Sequence, residues 1–186
     1  MKTRGADLAG SWYPGGESEC RKAIERFLDS DLFCPDTWGD IVGGIVPHAG
    51  WVFSGKIACK VIECLSVKNG AETCIIFGRH LHSASDNIIM KEGQWATPLG
   101  GLEVDVDVAS QLTAEFPFDV ETTSRYDHDN TIEVQLPFIK YFFSDIRIVP
   151  IGLPPNPASL DIAKRAVEIS KGMGRKTIVL GSTDLT

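Results

Sequence analysis

The sequence lacks any apolar run long enough to cross a bilayer; hydrophobic residues make up 43% of it but are interleaved with a charged fraction of 23%. A membrane-spanning helix is therefore not expected. The opening segment MKTRGADLAGSWYPGG carries basic residues without the apolar stretch of a secretory leader, so a cytoplasmic location is the expectation. Positive charge is also scarce: 18 Lys and Arg face 25 Asp and Glu, a net charge of −7. Non-specific binding to a phosphate backbone needs clustered cations, so nucleic acid is not an expected partner. The five cysteines (Cys20, Cys34, Cys59, Cys64 and Cys74) include no CxxC pair and are irregularly spaced. Neither a zinc knuckle nor a disulfide scaffold is indicated, and all five are expected as reduced, mostly buried thiols. No GxSxG, P-loop or GxGxxG occurs, which leaves serine-elbow acyl transfer and nucleotide binding without a motif.

What is present is an alternation of short apolar runs and amphipathic segments. A chain of 186 residues can bury roughly 70% of its unfolded surface, enough for one domain over residues 1–186. SECRKAIERFLDSDLF places Ile24, Phe27, Leu28 and Leu32 at helical spacing, with Ser18 as the expected cap. A loop rich in Pro, Asp and Gly follows. DIVGGIVPH then reads as a buried strand, the stretch from Ser54 through Leu65 as a helix, and TCIIFG as a second strand. Strand, helix, strand is the signature of a parallel crossover. NIIMKEGQWATPLGGLEVD reads as a hairpin or excursion outside the main sheet. DVDVASQLTAEF is helical, and TIEVQLPFIKYFF is helical with a break near Leu136, because a proline inside a helix costs about 3 kcal/mol. RIVPIGL, PASLDIAKRAVEISKGM and KTIVLGSTD complete the alternation as strand, helix and strand. The expected fold is a three-layer α/β/α arrangement with a mostly parallel central sheet.

Ligands of such sheets collect beyond the carboxyl ends of the strands. Three expected strands run there into polar residues: Val46 into His48, Phe77 into His80, and Leu180 into Ser182, Thr183 and Asp184. Neutral imidazole binds Fe, Zn, Cu and Ni, so His48 and His80 read either as metal ligands or as structural loop histidines. His82 would share a side with His80 in an extended segment, as a further ligand, a proton donor or a solvated residue. Asp184 reads as a metal ligand, a histidine-orienting carboxylate or a loop residue. In YDHDNTIEVQLPF, Asn130 or Thr131 suits a helix cap and Glu133 the positive end of the helix dipole; a catalytic role is the second reading. Trp12 and Tyr13 in AGSWYPG line a pocket or pin the N-terminal arm to the core.

These motifs occur together in one order. AGSWYPG, IVPHAGWVFSGKIA, IIFGRHLH, ATPLGGLEVD, DNTIEVQLPFI, IVPIGL and VLGSTDLT resemble, along nearly the whole chain, the Memo-like proteins of the kind called AmmeMemoRadiSam system protein B. That family is similar in fold to class III extradiol dioxygenases of the LigB type, which hold non-haem iron with two histidines and a carboxylate. The resemblance implies a divalent transition metal, Fe(II) first and Zn or Cu as alternatives, held by His48 and His80. It makes His48, His80 and Asp184 the catalytic set, in a pocket with Trp12, Trp51, His82, Asn130 and Glu133. Asn130 stands where the family pattern EHSIE has a histidine, which removes a base there, while Glu133 is kept. Members continue past the STDLT block with a histidine-tyrosine-glycine segment and a cysteine as third metal ligand, so the chain is expected to be truncated at its C-terminus. The implied function is a metal-dependent oxidoreductase of unknown substrate or, as the alternative, a non-catalytic adaptor module that binds a peptide or metabolite. An AMMECR1-like protein and a radical SAM protein are the implied partners.

Overall fold

The computed structural model describes residues 2–29, 32, 34, 41–67 and 70–184. The loop expected at residues 35–40 and the closing Leu185 and Thr186 lie outside them. With strands and helices numbered in chain order, a six-stranded sheet runs β2 (Gly43–Val46), β9 (Thr177–Ser182), β3 (Thr73–Gly78), β8 (Arg147–Gly152), β4 (Ile88–Met90) and β7 (Asp119–Glu121). The first four are mutually parallel, β4 is antiparallel to β8, and β7 is parallel to β4. A small second sheet joins β1 (Thr3–Arg4), β5 (Gln94–Trp95) and β6 (Leu102–Glu103). The excursion expected around Gln94 is thus outside the main sheet, whereas Ile88–Met90 enters it.

Burial explains why these runs are strands. Cys74, Ile75 and Ile76 of β3 and Ile148, Val149 and Ile151 of β8 are fully buried, as continuous apolar runs must be when helices cover both faces. α1 (Glu17–Leu28), α2 (Trp51–Ser66) and α5 (Leu136–Phe142) pack together as one layer, and α3 (Val106–Glu115) and α6 (Ala158–Gly172) as the other. The short α4 (Asn130–Glu133) lies against β3. The three-layer α/β/α fold with its mostly parallel sheet is the one the alternation implies.

Element ends differ from the sequence expectation for local reasons. α1 starts after Gly16 rather than at a Ser18 cap and stops at Leu28, leaving Leu32 outside it and 40% exposed. α2 begins at Trp51, three residues before Ser54, because the Trp51 N–H is taken by the Trp12 carbonyl at 2.9 Å and needs no capping side chain. The Ser54 hydroxyl instead donates back to the Ala49 carbonyl. The expected break at Leu136 is real: α4 ends at Glu133, and α5 restarts with Pro137 in its first turn, where a missing N–H costs nothing.

The cysteine expectation is corrected at two positions. Cys34 and Cys64 form a disulfide with Cα atoms 5.4 Å apart, tying the segment beyond α1 to the last turn of α2. Thirty residues separate the two in sequence, so only the fold shows that they meet. Cys20, Cys59 and Cys74 are buried free thiols, and burial pushes the first two up to about 11 and about 12. Such thiols are poor nucleophiles. Among the described residues no helix is long and apolar enough to cross a membrane.

Candidate functional site

β2, β9 and β3 are neighbours, and Val46 pairs with Ser182 where β2 and β9 end. His48, Asp184 and His80 each stand two residues beyond the last residue of one of these strands. The parallel sheet therefore brings all three to one edge. The His48 and His80 rings meet edge to face with centroids 4.8 Å apart, and His48 Nε2 lies 3.2 Å from Asp184 Oδ2. His80 and Asp184 are exposed, while His48 is 4% exposed.

The turn carrying His48 is fixed through three consecutive carbonyls. Gln135 Nε2 donates to Pro47 O at 2.8 Å, Asn130 Nδ2 to His48 O at 3.1 Å, and Ser54 Oγ to Ala49 O at 2.9 Å. Asn130, expected in the pocket, thus acts on the backbone of the histidine turn. Its own helix is capped by Asp129, which accepts from the backbone of Thr131 and Ile132 and from the Thr131 hydroxyl at 2.8 Å. Burial lowers the His48 pKa below the ordinary histidine value; His80 adds to this, and the Asp184 carboxylate opposes it.

A different device holds His80. The preceding residue, Arg79, has φ of 79°, a left-handed conformation costly for a residue with a Cβ. Its N–H donates to the Thr131 hydroxyl at 2.7 Å, and its guanidinium pairs with Glu121 and donates to the Asp127 carbonyl. Glu121 also pairs with Arg4 at 2.7 Å, and its other oxygen accepts from the Asp127 N–H at 3.0 Å. Arg4 is completely buried, its guanidinium sandwiched 3.5 Å from the Trp95 ring and 4.0 Å from the Tyr126 ring. Gly78 completes the clamp: a Cβ there would collide with the Thr131 hydroxyl and with Ile132.

The remaining expected pocket residues do not meet this pair of rings directly. His82 is exposed, and its Nδ1 accepts from the Ala84 N–H at 3.2 Å, closing its own turn. Trp51 is buried, stacked on Phe138 at 4.1 Å, with its indole N–H donating to the Val134 carbonyl. Trp12 is 39% exposed and lines, with Tyr13, Phe27 and Trp51, a cleft of about 360 Å³. Glu133 is completely buried; one oxygen accepts from Leu8 N–H at 2.7 Å and Tyr13 O–H at 2.8 Å, and burial raises its pKa. Tyr13 is pushed up in turn by burial and by that carboxylate. Arg79, Gln135 and Ser182 lie within the motifs but are not among the expected pocket residues, Glu121 lies outside every motif, and the contacts of all four emerge only from the fold.

His48 Nε2 is buried and has no well-formed hydrogen bond. A polar atom left in that state normally has a partner such as a proton, a water or an ion. The Asp184 carboxylate oxygen 3.2 Å away is an acceptor, so the pair suits a shared proton or cation. Imidazole and carboxylate are donors for Fe and Zn, and in this respect His48, His80 and Asp184 fit a metal. Among the described residues no group of three or more His, Cys, Asp or Glu is arranged to hold an ion.

A mostly parallel sheet covered by helices on both faces, with two histidines and an aspartate brought together along its carboxyl edge, defines a three-layer α/β/α protein. The chain belongs to the Memo-like protein family, which it matches over residues 4–186. It is similar to MEMO1 family proteins of archaea: 32% identical to one from Pyrobaculum aerophilum across 99% of this chain and 68% of that protein. A second, from Thermococcus onnurineus, is 36% identical across 95% of this chain and 62% of that protein. A third, from Pyrococcus furiosus, is 34% identical across 97% and 64%. The chain therefore spans from 62% to 68% of the length of these curated relatives.

Proposed function

We propose that the β2, β9 and β3 edge is a non-haem metal site similar to that of extradiol dioxygenases and that the protein is a metal-dependent oxidoreductase. One observation carries this reading: side chains of ligand type occupy the same position beyond three adjacent parallel strands, with a buried imidazole nitrogen facing a carboxylate. His48 and His80 would hold the metal, Fe(II) first and Zn or Cu as alternatives, with Asp184 in the same pocket. A metal bound there supplies Lewis-acid and redox chemistry. The chain's own contribution is positional. Gln135, Asn130 and Ser54 set the height of the His48 turn, and the Arg79 clamp sets the direction in which the chain leaves β3 toward His80.

The test is elemental analysis of the full-length protein purified without chelator. One metal ion per chain, lost in the His48→Ala plus His80→Ala variant, is the expected result, and the same content in both proteins would sink the reading. A second reading, a non-catalytic module for a peptide or metabolite, is favoured by the aromatic cleft of Trp12, Tyr13, Phe27 and Trp51. Oxygen uptake by the iron-loaded protein with a panel of catechols supports the enzyme. Saturable ligand binding without uptake supports the module.

A further inference from the structure

Ser182 ends β9, and its hydroxyl oxygen has three polar neighbours. The Thr131 carbonyl oxygen is 2.6 Å away, His48 Nδ1 3.3 Å and Gln135 Nε2 3.4 Å. A hydroxyl has one proton to donate and two lone pairs with which to accept. The Thr131 carbonyl has no proton of its own, so the Ser182 proton goes to it. The Gln135 amide is oriented by its 2.8 Å bond to the Pro47 carbonyl, which makes Nε2 a donor and fills one lone pair. Only the second lone pair is left for His48, and it requires a hydrogen on Nδ1.

The opposite tautomer fails this count. Either a protonless Nδ1 would face a lone pair of Ser182, or the hydroxyl would turn to Nδ1 and withdraw its proton from the carbonyl of the fully buried Thr131. An orphaned buried acceptor costs about 1–3 kcal/mol. The Asp184 carboxylate oxygen 3.2 Å from Nε2 is an acceptor that would favour a hydrogen there, but it lies outside hydrogen-bond geometry, whereas the Ser182 contacts on the Nδ1 side are formed.

We infer that Ser182 is a positioning residue that fixes neutral His48 as the Nδ1–H tautomer and leaves the Nε2 lone pair free on the Asp184 side of the cleft. Buried serine and glutamine side chains from β9 and the segment between α4 and α5 thereby prepare a ligand nitrogen before any ion arrives. The part of this inference that concerns metal rests on the metal-site reading above; the tautomer does not.

The experiment is nitrogen-15 NMR of histidine-labelled, metal-free protein at a pH where His48 is neutral. Wild-type His48 is expected to show a pyrrole-type Nδ1 and a pyridine-type Nε2. Ser182→Ala should lose that preference, and Ser182→Thr, which keeps the hydroxyl, should restore it. An Nε2–H signal in the wild type, or an unchanged Nδ1–H signal in Ser182→Ala, overturns the inference. Should the alanine variant fail to fold, the wild-type signal alone decides. Titration with Zn(II) gives the second readout: outer-shell partners of a ligating histidine are worth about 10–100-fold in affinity, and Ser182→Ala should lose that much while Ser182→Thr does not. A wild type with the Nδ1–H signal that takes up no Zn(II) supports the positioning role and overturns the metal reading.

Discussion

The two histidines occupy equivalent places and are held by opposite kinds of force. His48 is buried, and its turn is fixed by neutral hydrogen bonds from Gln135, Asn130 and Ser54 to three successive carbonyls. His80 is exposed, and the chain before it is fixed by an ionic lattice of Arg79, Glu121 and Arg4 with the Asp127 backbone. Neutral bonds are each worth little but add directionality without a desolvated charge. A buried ion pair contributes little when intact and becomes costly when one partner is removed. The His48 side should therefore tolerate single lesions that the His80 side does not.

The sharpest way to break this contrast is Glu121→Gln. It leaves the completely buried Arg4 and the adjoining Arg79 without their shared carboxylate. A loss of about 3–5 kcal/mol is expected in urea unfolding. On the neutral side, Gln135→Met keeps side-chain length while removing the donor to Pro47 O and Ser182 Oγ. It should cost about 1–3 kcal/mol by the same measurement. If the two losses are equal, the distinction between the two anchors is wrong. The smallest effect concerns the backbone alone. Arg79→Gly and Arg79→Ala both lose the guanidinium, but only glycine takes φ of 79° freely, so the glycine variant should be the more stable by about 1–2 kcal/mol. Equal stabilities would mean that the left-handed conformation relaxes once the ion pair is gone.

The sequence shows which strands carry the site more clearly than what fixes it. Continuous apolar runs ending in His48, His80 and Asp184 are local signals, and a parallel sheet converts them into one edge. The break at Pro137 is equally local. β1 and β5 are two-residue strands without periodicity, so nothing in the sequence marks Arg4 as a buried cation. Its carboxylate partner, Glu121, lies 117 residues away, and Ser182 lies 134 residues from His48. Pairings at that range are set by the register of strands and not by any spacing within a segment. The same holds for Cys34 and Cys64, whose disulfide the absence of a cysteine motif argues against. His82, close to His80 in sequence, is exposed, and its ring accepts from the Ala84 N–H of the turn that follows it.

The strand order also sets a timetable. β2 and β3 both precede β9 in the chain and do not touch each other; β9 inserts between them. Until it does, His48 and His80 have no common edge, and His48 has neither Ser182 nor Asp184 beside it. Contacts this distant in sequence form slowly, because the loop must close before any of them contributes. The edge that joins the two histidines therefore cannot assemble until β9 has been made. A chain halted before Thr177 would hold both histidines without the strand that brings them to one edge.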